Sequence, residues 1–212
     1  MTDRTEVIPS STSAGLTDHS PDPIPTAEVP ARVNALEQLL IEQGLVTASA
    51  IDKIAATFER DISPRLGAKV VARAWVDERF RAELLEDATS ACRSMGIGGA
   101  QGEYMVAVAN TSTVHNVVVC TLCSCYPWPV LGLPPNWYKY PQYRASIVNE
   151  PRRVLRDDFG LTLEPDVEIR IWDSSSEIRY FVLPERPADT AGLAEHELAE
   201  LVTRDAMIGV AR

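Results

Sequence analysis

The sequence predicts an α+β protein: a helical N-terminal half with an extended N-terminal arm, then a small mixed α/β layered domain whose antiparallel strands carry a cysteine-rich loop. Three observations predict it. Apolar residues recur at helical spacing between residues 31 and 95, β-branched runs replace them after Gly96-Ile97-Gly98-Gly99, and three cysteines crowd together where one of those runs ends.

Residues 1–30 mix Ser, Thr, Pro, Asp and Glu without a helical or strand period, so they read as an irregular arm able to lie on a partner. The helical region, 31–95, begins with Val33, Leu36 and Leu40 on one stripe, stopped by Gly44. Thr47 or Ser49 is placed to cap a second helix bearing Ile51, Ile54 and Phe58. Val70 to Val76 is a third apolar segment. Asp77 then caps a fourth helix with Phe80, Leu84, Ala88 and Cys92 at a spacing of four.

From residue 96 to 212 the character is that of an α/β domain. Tyr104–Val108 and Val117–Val119 read as strands. Prolines 127, 129, 134, 135 and 141 forbid long regular elements and impose a stiff, turning loop. Val167, Ile169 and Ile171 alternate with polar residues, and Ile178–Leu183 follows a polar turn, which predicts an antiparallel pair. A last helix spans roughly 193–203.

Composition narrows the function. A chain of 212 residues that is 45% hydrophobic can bury a real core. A formal charge of −10, with no basic run, disfavours nucleic acid as a partner. There is no basic start followed by an apolar stretch and no run of about eighteen apolar residues, so no membrane association and a cytoplasmic location are expected. Three of the four cysteines lie within six positions, too close to staple distant parts of a secreted fold, and in a reducing compartment such a cluster points to metal or thiol chemistry.

In Cys120-Thr121-Leu122-Cys123-Ser124-Cys125 all three sulfurs can meet one ion from a single turn. If Cys123 and Cys125 bind that ion, the backbone amides of Ser124 and Cys125 are drawn toward it. A strongly Lewis-acidic trivalent ion could displace their protons. Three sulfurs and two nitrogens would leave one open position for water or substrate. Thiolates select transition metals, and a metal-bound, partly exposed sulfur can be oxidised to sulfenate or sulfinate. A zinc ribbon wants a second Cys pair, which is missing; an iron–sulfur cluster would have to recruit Cys92, which sits on an apolar helix stripe. A redox pair, Cys120 with Cys123, leaves Cys125 unexplained. His115 lies on a strand, where a packed imidazole is commoner than a ligand, and His19 and His196 offer no catalytic partner.

The run from His115 to Pro135, with Cys120-Thr121-Leu122-Cys123-Ser124-Cys125-Tyr126-Pro127-Trp128-Pro129 at its centre, resembles the metal-site segment of nitrile hydratase α subunits. The resemblance extends through Gly99–Glu103, Trp137-Tyr138-Lys139, Trp172–Tyr180 and Asp205–Val210, most of the chain after about residue 31. It implies an enzyme that hydrates nitriles to amides. Cys120 would be a plain thiolate ligand, Cys123 a sulfinate ligand and Cys125 a sulfenate ligand, with backbone nitrogens from Ser124 and Cys125. Thr121 matches the cobalt pattern, so one cobalt(III) per α subunit is implied, with iron(III) the alternative.

By the same resemblance, a nitrile would be attacked by the Cys125 sulfenate oxygen or by an activated water. Gln101 would orient substrate or water, and Trp128 would wall the pocket; in isolation Gln101 reads as a loop residue and Trp128 as packing between prolines. Asp173, Glu177 and Arg179 match outer charged residues, which alone read as a surface ion-pair network. No Arg or Lys lies between Cys120 and Pro135, so cations for oxidised sulfurs must come from elsewhere. The resemblance supplies them from a separate β subunit in an αβ heterodimer, or its pair α2β2, and implies a metallochaperone or activator. A thiocyanate hydrolase subunit, with a similar claw, and a non-catalytic zinc or redox module are the alternatives.

Overall fold

The computed structural model describes residues 28–212, and no helix among them is long and apolar enough to cross a membrane. The predicted arm lies outside the described residues except for its last three positions, where α1 (Glu28–Glu42) has already begun. Gly44 takes a positive φ of 69° just past α1, as a helix terminator does. The Thr47 hydroxyl, not that of Ser49, caps α2 (Ala48–Asp61) by accepting from the Ala50 N–H at 3.2 Å.

Ser63 caps α3 (Pro64–Val76), and Pro64 suits its first turn because no helical donor is lost there. The predicted fourth helix is two helices. Asp77 caps α4 (Glu78–Glu86) as expected, but Asp87 then ends it and caps α5 (Ala88–Ser94), its Oδ1 accepting from the Ser90 N–H at 2.9 Å. Phe80, Leu84, Ala88 and Cys92 are buried all the same, because the break keeps both short helices against the same core.

The strands are β1 (Met105–Ala109), β2 (Val114–Val119), β3 (Glu168–Asp173) and β4 (Arg179–Leu183). The predicted antiparallel pairing is wrong: β1 pairs with β4 and β2 with β3, both parallel. After Asp173 the chain does not fold back as a hairpin. The Ser174 N–H still donates to Val119 O at 2.7 Å, holding it to β2, and five residues later the Arg179 N–H donates to Tyr104 O at 3.1 Å, starting β4 on β1. The uninterrupted run Val117-Val118-Val119, fully buried on both faces, is what a parallel strand covered on each side requires.

Between β2 and β3 the crossover carries α6 (Trp128–Leu131), a 3-10 turn (Asn136–Lys139), α7 (Pro141–Asn149) and α8 (Pro151–Phe159). Trp137, Tyr138, Tyr143 and Phe159 pack edge to face beneath it, with Trp137 4.9 Å from both Tyr143 and Phe159. The predicted last helix, roughly 193–203, is α9 (Glu195–Leu201); a further helix, α10 (Arg204–Ile208), follows it, started by the Thr203 hydroxyl, which accepts from the Ala206 N–H.

Close backbone contacts fix the proline loop to this frame. A Cβ on Gly67 of α3 would stand 2.0 Å from Val130 O of α6, so only glycine lets the two helices touch there. Gly209, at φ 92°, likewise brings the end of α10 onto Asn116 of β2.

Candidate metal centre

Cys120 is the residue at which β2 stops, and it is buried; Cys123 is exposed and Cys125 half-buried. Their sulfurs form one patch. Cys120 Sγ lies 3.5 Å from Cys123 Sγ, Cys123 Sγ lies 3.3 Å from Cys125 Sγ, and all three fall within 4.8 Å of one another. All are free thiols, and the Cys123 N–H donates to Cys120 Sγ at 3.2 Å.

The ends of two strands and one helix hold this turn. Because Val119 and Asp173 are in register, the Asp173 carboxylate sits where β2 would have continued. It accepts from the Thr121 N–H at 2.9 Å and from the Thr121 hydroxyl at 2.6 Å. The Tyr138 hydroxyl donates to the Cys125 carbonyl at 3.1 Å from the buried side. Arg144 of α7 donates through Nη1 to Thr121 O at 3.3 Å and to Cys123 O at 3.5 Å.

Sulfurs so close cannot all ionise without a cation among them. The Cys123 thiol is held below its ordinary range, first by the Cys125 thiol, then by Cys120, with help from the backbone amides of Ser124 and Cys125. Cys125 is pushed up to about 12, by burial first and then by the neighbouring sulfurs. A soft cation would remove that conflict, and the donor set fits one: among the described residues this is the one such cluster, and it contains no His, Asp or Glu as a fourth side-chain ligand. A closed tetrahedral zinc site built from this chain's side chains therefore lacks its fourth ligand.

Cys92 is fully buried in the core, its thiol pushed up to about 12 by burial, and takes no part in the cluster. His115 is a packed residue too. Its Nε2 lies 2.7 Å from the Gly209 carbonyl and its Nδ1 3.3 Å from Asn110 Nδ2, which suits a neutral ring donating to the first and accepting from the second.

Gln101 is half-buried and has a left-handed φ of 64°, unusual for a residue with a side chain. Arg179, itself buried, donates to Gln101 Oε1 at 2.7 Å and lies 3.5 Å from Glu103 Oε2. The following residue, Gly102, packs against Pro129, where a Cβ would come within 2.6 Å, so the Gln101 turn rests on the proline loop. Trp128 is half-buried beside Phe58, ring centres 5.9 Å apart. Glu177 is exposed, and its N–H closes a turn on the Ser175 hydroxyl. The expected charged trio is thus not one network: Asp173 serves the claw, Arg179 serves Gln101, and Glu177 stands apart.

Tyr138 and Arg144 are the residues sequence reasoning missed. The absence of Arg and Lys from 120–135 was a signal for Arg144, since it asks which nearby cation reaches the loop; α7 brings one from this same chain.

A family profile described as nitrile hydratase, alpha chain, matches residues 27–211. The chain belongs to the nitrile hydratase α-chain family. It is 61% identical over 199 residues to the low-molecular weight cobalt-containing nitrile hydratase subunit alpha of Rhodococcus rhodochrous, covering 92% of this chain and 96% of that one. It is 61% identical over 183 residues to the cobalt-containing subunit alpha of Pseudonocardia thermophila, covering 86% and 90%. Among solved structures, an Fe-type nitrile hydratase double mutant from Comamonas testosteroni Ni1 superposes with a TM-score of 0.80 at 40% identity, covering 89% of this chain and 92% of that one. Thiocyanate hydrolase subunit gamma of Thiobacillus thioparus stands further off, at 40% identity over 188 residues, 84% of this chain and 76% of that one.

Proposed function

We propose that this chain is the metal-holding catalytic subunit of a cobalt-type nitrile hydratase, converting nitriles to the corresponding amides. One observation carries the reading: three free sulfurs meet in one turn with no fourth side-chain ligand among the described residues, in a chain 61% identical to a cobalt-containing nitrile hydratase subunit. Cys120, Cys123 and Cys125 supply the sulfurs, and Ser124 and Cys125 the backbone nitrogens. Bound there, one cobalt(III) ion, or iron(III) in the alternative, supplies the Lewis acidity that makes a nitrile carbon electrophilic.

Cys123 is exposed and Cys125 half-buried, so both sulfurs lie within reach of dioxygen, the oxidant that sulfinate at Cys123 and sulfenate at Cys125 require. The Cys125 oxygen then either attacks the nitrile carbon or takes a proton from the attacking water. Gln101, its carbonyl held by Arg179, offers its amide N–H groups and so orients substrate or water as a donor. Trp128 walls the pocket. Asp173 and Arg179 act through Thr121 and Gln101, while exposed Glu177 has no contact that supports such a role.

The claw opens outward: Cys123 is exposed and Leu122 is 86% exposed at the tip of the turn. A partner must cover both, which supports a β subunit, an αβ or α2β2 assembly, and an activator that loads the metal in the cytoplasm. The test is to produce the chain with its β subunit and measure metal content, the masses of the cysteine peptide, and amide formation from nitriles against carbonyl sulfide release from thiocyanate. Cobalt, two oxidised cysteines and amide are expected. Zinc with unmodified cysteines would overturn the reading, and carbonyl sulfide without amide would replace it with thiocyanate hydrolysis.

A further inference from the structure

We propose that Arg144 is a positioning residue for the metal site: its guanidinium holds the Thr121 and Cys123 carbonyls outward and so turns the Ser124 N–H inward, toward the sulfurs. The inference rests on the ligand assignment above. No peptide bond among the described residues is cis, and in a trans peptide the C=O and N–H point in opposite directions. The carbonyl of Cys123 and the nitrogen of Ser124 belong to the same peptide. Fixing the oxygen on Arg144 at 3.5 Å therefore fixes where the nitrogen faces.

The second bond, to Thr121 O at 3.3 Å, anchors the other end of the turn, so one cation spans the segment that sets the Cys123 sulfur and leads into the Ser124 nitrogen. Its placement is reproducible from the fold. Pro141 starts α7, Tyr143 of the same helix is fully buried with its hydroxyl donating to Val118 O, and the adjacent Arg144 is thereby aimed at the loop that follows β2. Asp173 grips the N–H side of Thr121 and Arg144 the C=O side, so the residue after Cys120 is held from both ends. Without Arg144 the Cys123–Ser124 peptide is free to rotate, and the nitrogen loses its preset direction before any metal arrives.

The test compares Arg144→Met, which keeps the stem but no donor, with Arg144→Lys, whose ammonium can replace Nη1. Each is produced as the full chain with its β subunit under cobalt. The readouts are cobalt per chain, the sulfur-to-cobalt charge-transfer absorption, and the circular dichroism melt. Arg144→Met is expected to lower cobalt affinity roughly 10-fold or more and to shift the absorption band, with an unchanged melt for the metal-free chain; Arg144→Lys recovers much of both. Parental cobalt content and band in Arg144→Met would overturn the proposal, as would equal losses in both variants, which would mean packing alone. Parental protein without cobalt would instead defeat the ligand assignment on which the proposal rests.

Discussion

Tyr138→Phe removes one oxygen from the wall behind the claw and leaves the rest in place. The ring is fully buried, 5.0 Å from Tyr126 and 6.0 Å from Tyr143, and phenylalanine fills the same space. What disappears is the O–H donor to the Cys125 carbonyl at 3.1 Å. Such a bond contributes about 1 kcal/mol, and a half-buried carbonyl left without a donor raises the cost to about 1.5 kcal/mol. For a chain of this length that corresponds to a fall in Tm of roughly 3–6 °C. If the whole cost falls on the orientation of Cys125, cobalt affinity drops by about tenfold. Burial pushes the Tyr138 hydroxyl well above its usual range, so it remains a neutral donor and the deficit should be the same at about pH 6 and about pH 9. Thermal melts of the complex and competition for cobalt by a chelator measure both effects. A variant with parental Tm and parental cobalt affinity would refute the reasoning.

Gly67→Ala should cost roughly 3 kcal/mol or more, because the new Cβ meets the Val130 carbonyl at 2.0 Å and backbone cannot move aside cheaply; an unfolding free energy from urea titration within about 1 kcal/mol of the parent would contradict the packing described. Asp173→Ala strips both acceptors from Thr121 and should weaken cobalt binding roughly 10- to 100-fold, whereas Thr121→Ser keeps both donors and should leave cobalt content unchanged. His115 is held neutral by burial, its pKa below the ordinary 6.5, so the unfolded chain takes up the proton first. Stability is therefore full above 6.5 and declines as pH falls below it toward the lowered value; urea midpoints should show this slope in the parent and lose it in His115→Gln.

The helical half is legible in the sequence because its signals are local. Asp77 and Thr47 cap helices through bonds to residues three positions on, and Gly44 ends one by its own φ. The break at Asp87 carries the same local signal, a capping side chain, but the apolar spacing runs straight through it and masks it. The claw is legible for the same reason as the caps: three sulfurs within six positions can reach one ion in any compact turn.

Strand pairing was decided elsewhere. Alternation in 167–183 shows that strands exist, yet whether they pair with each other or part to join β2 and β1 depends on residues more than fifty positions away. By itself, then, the sequence determined most of the N-terminal helices, the three-cysteine cluster and the family. Only the tertiary structure decided that Asp173, Tyr138 and Arg144 hold the claw, because hydrogen bonds between residues 13 to 52 positions apart depend on where a crossover returns the chain, and no local spacing encodes that.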